Sequence, residues 1–500
     1  MPNNNDVLAI GKSIYRGEEK IFGIKLNDRR RHMYILGKTG SGKTTLLERM
    51  AYLDIIKGNG IAYIDPHGES VNRLLHLIPK QRIEDVIYFN PQDIENPIAF
   101  NPLQKVPYEK RHLIAYGLLS VFKKIWVDMW STRMEYILTN TILALLEWPD
   151  STILDINRML SDDDFRKKVV ANLRDVVVKS FWEKEFSRYA TNFRTEAIAP
   201  IQNKVGQFIT SPLIRNIIGQ PKSSFDLREI MDRRKILLIN LSKGAISAEN
   251  SALLGGLLIS ALQLTAFSRI DIPEEERQDF FVYIDEFQEF STESFVNILA
   301  EARKYRLNLI LAHQFISQIP PNVQNAIFGN VGTMIIFRIG SADAEILIKE
   351  FEGLKVEDFT NLPNYHAYVK LLVDGQVAGP FLCVTFPPVP LPEYSFKDEI
   401  IYHSRLHYSE KRSLVEARIS SLYKEILEEK IKSESMIHCQ ICNNLFWSRG
   451  DNICEKCRER SSIGYVSFKQ AINKGLITEF EKKKDIKTNP ELDDILKILE

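Results

Sequence analysis

The sequence predicts an α/β fold in which helices cover both faces of a mostly parallel sheet. Three observations predict it. Short β-rich runs alternate with helical patterns from Met33 onward. Those runs are continuously apolar, as strands buried on both faces must be. The first of them leads directly into a G-x-x-x-x-G-K-[ST] pattern, which needs a strand before it and a helix after it.

The segment before Met33 has room only for a small β-element. MYILG is the first core strand, a helix is expected from Lys43, and the strands IAYID and VIYFN follow. Between about Gln104 and Met231 β-rich runs give way to long helical patterns such as Met134–Trp148, MEYILTNTILALLEW. This reads as an all-helical insertion between two sheet strands. The alternation then resumes with KILLINLS, an apolar helix after Asn250, FFVYID, a helix through Ala302, LNLILAH and TMIIFRI. Proline-rich FPPVPLPEY, Phe386–Tyr394, closes the α/β part as a stiff connector. The expected domains are therefore an α/β domain of residues 1–103 and 232–390, an insertion of 104–231, a helical stalk of 391–437, a cysteine module of 438–460 and a polar helical tail of 461–500.

Composition bounds the partners. In 500 residues, 65 basic side chains balance 65 acidic ones, so any surface that grips DNA must be local rather than global. The N-terminal MPNNNDVLAIGK has no basic segment followed by an apolar run, and no signal peptide is expected. The longest apolar stretch, Ser251–Phe267, is short for a membrane span and carries Ser260, Gln263 and Thr265. A buried core helix is expected instead, in a cytoplasmic chain without a transmembrane segment of its own that is able to dock at the inner membrane face through a partner.

Gly37-Lys38-Thr39-Gly40-Ser41-Gly42-Lys43-Thr44, with Thr45 next to it, is the expected nucleotide cradle. Glycines let successive N–H groups face phosphates, and the helix N-terminus adds partial positive charge. Lys43 is expected to reach the β- and γ-phosphates of ATP and Thr44 to ligate Mg²⁺. FFVYIDE ends an apolar strand in two carboxylates: Asp285 to hold Mg²⁺ through water, Glu286 to polarise the attacking water as general base. Gln314, at the end of LNLILAHQ, faces the same crevice and is a candidate γ-phosphate sensor. Arg303, Arg306 and Arg338 flank this strand and the next, and each is a candidate for completing a neighbour's site.

GKTGSGKT, IDPHGE at Ile64–Glu69, FFVYIDEFQEF, EARKYRLNLILAHQ and NVGTMIIFRIGSADAEIL together resemble the HerA and FtsK superfamily. Within it the chain looks most like the conjugative coupling ATPases of type IV secretion, over about Met33–Pro387. The resemblance implies a RecA-like P-loop domain and a hexameric ring that pumps DNA through a central pore, with ATP bound between subunits. It matches Lys43 and Thr44 to the Walker A pair, Asp285 and Glu286 to the Walker B pair, and Gln314 to the sensor. It places Asp65 near the site without a defined role, and it leaves His67 open between a turn residue and a functional one. Secretion-channel or relaxosome proteins are the implied partners. A HerA-type helicase working with a nuclease, and a protein-secretion or assembly ATPase, are the alternatives. DNA-stimulated hydrolysis separates the two DNA motors from the protein-secretion reading.

Cys439, Cys442, Cys454 and Cys457 form two C-x-x-C knuckles with a short loop between them, the spacing of a zinc ribbon. Four thiolates close a tetrahedral Zn²⁺ site, which makes it structural, and His438 would be a surplus fifth ligand. Lys456, Arg458 and Arg460, with Phe446 and Trp447, are open to either a nucleic-acid or a protein contact. Cys383 stands alone on a β-rich run and reads as core.

Overall fold

The computed structural model describes residues 7–104 and 106–421, with 436–438, 440–442 and 445–447 beyond them. The strands are β1 (Val7–Tyr15), β2 (Glu18–Lys25), β3 (Met33–Leu36), β4 (Gly60–Asp65), β5 (Val86–Phe89), β6 (Ile236–Asn240), β7 (Phe280–Ile284), β8 (Leu307–His313), β9 (Thr333–Ile336), β10 (His366–Lys370), β11 (Leu372–Val373), β12 (Gln376–Val377) and β13 (Phe381–Thr385). Eleven of them make one sheet in the order β2-β1-β13-β10-β9-β3-β8-β7-β4-β6-β5. From β9 to β5 every pairing is parallel, whereas β10, β13, β1 and β2 extend the sheet antiparallel. The seven parallel strands are the seven apolar runs of the sequence.

Alternate residues of each strand feed two cores. Tyr34, Leu36, Ala62 and Ile64 face the layer that includes the insertion helices. Met33, Ile35, Ile61 and Tyr63 face Leu46, Leu47 and Met50 of the helix Lys43–Ile56. Both faces are dry, which is why these strands carry no polar alternation.

Between β5 and β6 the described chain is helical, including Arg111–Ile125, Thr132–Glu147 and the long Thr191–Thr210. The apolar helix after Asn250 is Ala248–Ser268. By length and composition it is able to cross a membrane, yet 67% of its most apolar window is buried within the fold. Gly256 explains part of the fit: a Cβ there would lie 2.9 Å from Val121 Cγ1, so the helix packs closely on Arg111–Ile125.

The proline-rich stretch runs over the outer helices. Arg49 Nη1 donates to Pro387 O at 3.3 Å and Arg73 Nη2 to Val389 O at 2.5 Å. Where a stalk was expected, the helix Lys397–Tyr408 lies against β5, and Ser404 Oγ accepts the Tyr88 N–H at 2.9 Å. An edge strand carries unpaired donors, and covering it with a helix removes a site of unwanted strand pairing. The compact first unit ends at Ile419. In the second unit Met436–His438 pairs antiparallel with Leu445–Trp447. Cys439, Cys454 and Cys457 lie outside the described residues, so the expected Zn²⁺ site does too; Cys442 alone of the four is described.

Candidate nucleotide site

The parallel strands deliver their C-terminal ends to one edge of the sheet, and the candidate residues meet there. The loop after β3 closes into the helix Lys43–Ile56, with Gly42 as its N-cap at φ 117°. No L side chain adopts that angle readily, so the tight wrap requires glycine. Lys43 is buried, and its Nζ donates to the carbonyls of Gly37 (2.6 Å) and Lys38 (3.3 Å) at the mouth of the loop. Burial lowers its pKa, while Glu286 and Asp285 pull it back up. Ser41 Oγ is buried inside the loop, where a Cβ on Gly37 would fall 2.7 Å from it, so glycine is required at that position too.

β7 ends at Ile284 and presents Asp285 and Glu286, both buried. Thr44 Oγ1 donates to Asp285 Oδ2 at 3.1 Å, so the hydroxyl and carboxylate suited to one divalent cation are adjacent. Burial, then the neighbouring Glu286 and Asp65, raise the Asp285 pKa to about 6. Glu286 sits in the left-handed region, φ 48°. Its carboxylate is held at both oxygens: Gln314 Nε2 donates to Oε1 at 2.5 Å and Gln288 Nε2 to Oε2 at 2.7 Å. Gln314 also accepts from Thr39 Oγ1 at 2.9 Å, linking the phosphate loop to the acid through one amide.

Asp65 has a positional task. Its oxygens accept the N–H groups of His67 (2.8 Å) and Val71 (3.0 Å), shaping the loop that puts His67, Glu69 and Ser70 on the cleft wall. The cleft encloses about 500 Å³ and is lined by Thr39, Gly40, Gly42, Lys43, Thr44, Thr45 and the residues just named, with Tyr365 at the far side. Arg338 lies at the end of β9 beside its own phosphate loop, where its carbonyl accepts the Lys38 N–H at 2.8 Å. Its guanidinium donates to Asn364 Oδ1 at 2.9 Å. Arg303 and Arg306 precede β8, at the opposite edge of the sheet from the loop. Ser70, Gln288 and Tyr365 are site residues that sequence reasoning missed.

The raised Asp285 pKa makes a stability prediction. A folded-state pKa above the ordinary 3.8 means a contribution that is fully present below about pH 4 and lost as pH rises through about 6. Asp285→Asn removes that loss, so the nucleotide-free variant should be more stable than the parent by about 2–3 kcal/mol above pH 7 and indistinguishable near pH 3.5. Equilibrium unfolding at the two pH values checks it; equal stability at pH 8 would show that the acid is not strained.

A phosphate loop on a parallel sheet, a buried acid pair one strand removed and an amide between them define a P-loop nucleoside triphosphatase. The sequence profile of the type IV secretion-system coupling protein DNA-binding domain family matches residues 20–355, two thirds of the chain, and the protein belongs to that family. The type 4 coupling protein DotL of Legionella pneumophila is 22% identical in an alignment 373 residues long that covers 62% of this chain and 46% of DotL. The chain thus spans about half the length of that relative. Among solved structures, the plasmid coupling protein TrwB with ADP and Mg²⁺ superposes with a TM-score of 0.57 at 16% identity, over 78% of this chain and 97% of that one. TrwB bound to a non-hydrolysable ATP analogue gives 0.54 at 17% identity, over 78% and 95%. Its complex with a GTP analogue gives 0.53 at 17% identity, over the same shares. At these identities the likeness is one of fold.

Proposed function

We propose that the chain is an ATP-hydrolysing motor that drives DNA during conjugative or type IV secretion-related transfer. The observation that carries this reading is the Thr39–Gln314–Glu286 bridge, which couples the phosphate loop to the acid that would polarise water. In this reading Gly37–Thr45 wrap the phosphates of ATP, Lys43 leaves the loop carbonyls for the γ-phosphate, and Thr44 and Asp285 hold Mg²⁺. The cation would neutralise charge developing on the phosphoryl oxygens. Glu286 orients and deprotonates water, and Gln314 reports whether the γ-phosphate is present. Support comes from membership of the coupling-protein family and from the TrwB fold, crystallised with ADP and Mg²⁺.

The motor acts as a ring, a homo-hexamer in the family pattern, with an arginine of one subunit completing the next site. Hydrolysis should therefore rise with protein concentration and again with added DNA. Steady-state rates across a dilution series, with light scattering, check both. Full activity in a monomer that ignores DNA would contradict the DNA motor and favour a protein-secretion ATPase.

For Cys439, Cys442, Cys454 and Cys457 the support is spacing alone. One Zn²⁺ per chain is expected by metal analysis. Because structural zinc supplies much of a ribbon's folding energy, Cys454→Ser should lose it with basal hydrolysis intact. Purified protein without zinc would remove this part of the proposal.

A further inference from the structure

The cleft has two ends, and one of them has no task in the hydrolytic reading. The phosphate loop follows β3. On one side of β3 lie β8 and β7, which bring Gln314, Asp285 and Glu286. On the other side lie β9 and β10. β10 runs antiparallel to β9, so its start, not its end, reaches the ligand edge of the sheet. Tyr365 is the residue just before that start.

Tyr365 is held in a way that its own preferences do not explain. Its φ is 66°, in the left-handed region, which is a true outlier for a bulky side chain. Three hydrogen bonds impose it: the Tyr365 N–H donates to Ser41 O at 2.8 Å, and Tyr365 O accepts from Thr385 N at 2.9 Å and Thr385 Oγ1 at 3.2 Å. The backbone is therefore tied to the phosphate loop itself. The ring stands over Gly42, where an added Cβ would fall 3.0 Å from Tyr365 Cδ1. It remains 44% exposed, lines the cleft and, among the described residues, is the only phenyl-type ring that does so. Strain of this kind persists where the surrounding structure over-determines it, and it clusters at ligand sites.

We propose that Tyr365 is the platform on which the nucleotide base stacks. The inference rests on the hydrolytic reading in one respect: Glu286 and Gln314 must meet the γ-phosphate, so the ribose and base leave the loop toward the opposite end. There the base finds a flat ring, pre-positioned by the same loop that binds its phosphates. The neighbouring Arg338 is engaged by Asn364, and the ring keeps nearly half of its surface exposed. Recognition through a π-face reads ring size rather than the hydrogen-bonding edge, so adenine and guanine are held alike and pyrimidines less well.

The test is equilibrium binding of ATP, GTP, CTP and inorganic tripolyphosphate to the full chain and to Tyr365→Phe, Tyr365→Ala and Tyr365→Asn. Asparagine tolerates the left-handed backbone, so Tyr365→Asn keeps the test valid if Tyr365→Ala fails to fold. Loss of a base–aromatic stack corresponds to about ten- to a hundredfold in affinity. Tyr365→Asn and Tyr365→Ala should lose that factor for ATP and GTP together, lose less for CTP, and bind tripolyphosphate as the parent does. Tyr365→Phe should match the parent throughout. Unchanged ATP affinity in Tyr365→Asn would overturn the proposal, and so would equal weakening of ATP and tripolyphosphate, which would mean that the residue only shapes the phosphate loop. A parent chain that binds neither ATP nor tripolyphosphate would instead overturn the hydrolytic reading on which the proposal rests.

Discussion

Lys43→Ala is expected to abolish nucleotide binding, and Glu286→Gln to bind nucleotide and turn it over about 10²–10⁴-fold more slowly. The two substitutions remove different things. Lys43 is the buried cation of the loop, whose Nζ now rests on the carbonyls of Gly37 and Lys38. Alanine there leaves those carbonyls uncapped and the phosphates without their counter-charge, so affinity goes before chemistry is reached. Glu286→Gln is nearly isosteric and removes only the basic oxygen. Its effect on geometry is nonetheless testable, because two amide groups donate to the carboxylate, Gln314 to Oε1 and Gln288 to Oε2. A glutamine at 286 accepts only one of them, and the other amide must rotate. Binding by equilibrium titration and turnover under saturating nucleotide separate the cases. A Glu286→Gln chain with near-parental turnover would show that another group polarises the water.

Much of the sheet was legible because of where it lies. Strands buried on both faces read as unbroken apolar runs, and β3 through β9 have that character; all residues of β4, β6, β7 and β8 are buried. The antiparallel extension is different. β10 alternates half-buried and buried residues over five positions, too short a pattern to separate from a loop. β2 is exposed over its first half. At the site, the phosphate loop, Asp285, Glu286 and Gln314 stand in motifs or at strand ends, where position along the chain implies position in space. Gln288 carried a weaker sign, two residues beyond the acid. Only the left-handed turn at Glu286 brings its amide back onto the carboxylate. Tyr365 carried none, because its place beside the loop rests on a hydrogen bond to Ser41, more than three hundred residues earlier in the sequence.

The same limit hid a buried ion pair whose disruption is expected to cost about 3–5 kcal/mol. Arg29 and Asp54 are nearly or wholly inaccessible and pair in a bidentate fork, Nη1 to Oδ1 at 2.8 Å and Nη2 to Oδ2 at 2.7 Å. Neither stands in a motif, and sequence alone gives no reason to join them. The pair is embedded rather than isolated. Tyr283 Oη donates to Asp54 Oδ2 at 2.5 Å, Asn59 Nδ2 donates to Oδ1 at 2.8 Å, and the guanidinium lies 3.8 Å over the Phe281 ring. Burial opposes the charge on Arg29, but Asp54 and Tyr283 outweigh it and raise the pKa above its ordinary value. The placement matters to the site, since Asp54 belongs to the helix that starts at Lys43 and Tyr283 lies two residues before Asp285. One network therefore ties the phosphate-loop helix to the strand that carries the acids. Asp54→Ala leaves a buried guanidinium without its partner and should lower the unfolding free energy by the amount given, read from denaturant titrations. It should also slow hydrolysis in the fraction that stays folded, because the spacing between Thr44 and Asp285 is no longer fixed from below. The double substitution Arg29→Met with Asp54→Leu should recover most of the stability, since it removes both charges and keeps the volume. An Asp54→Ala chain as stable as the parent would show that the pair contributes nothing net, and a destabilised double variant with no recovery would assign the loss to packing rather than to the orphaned charge.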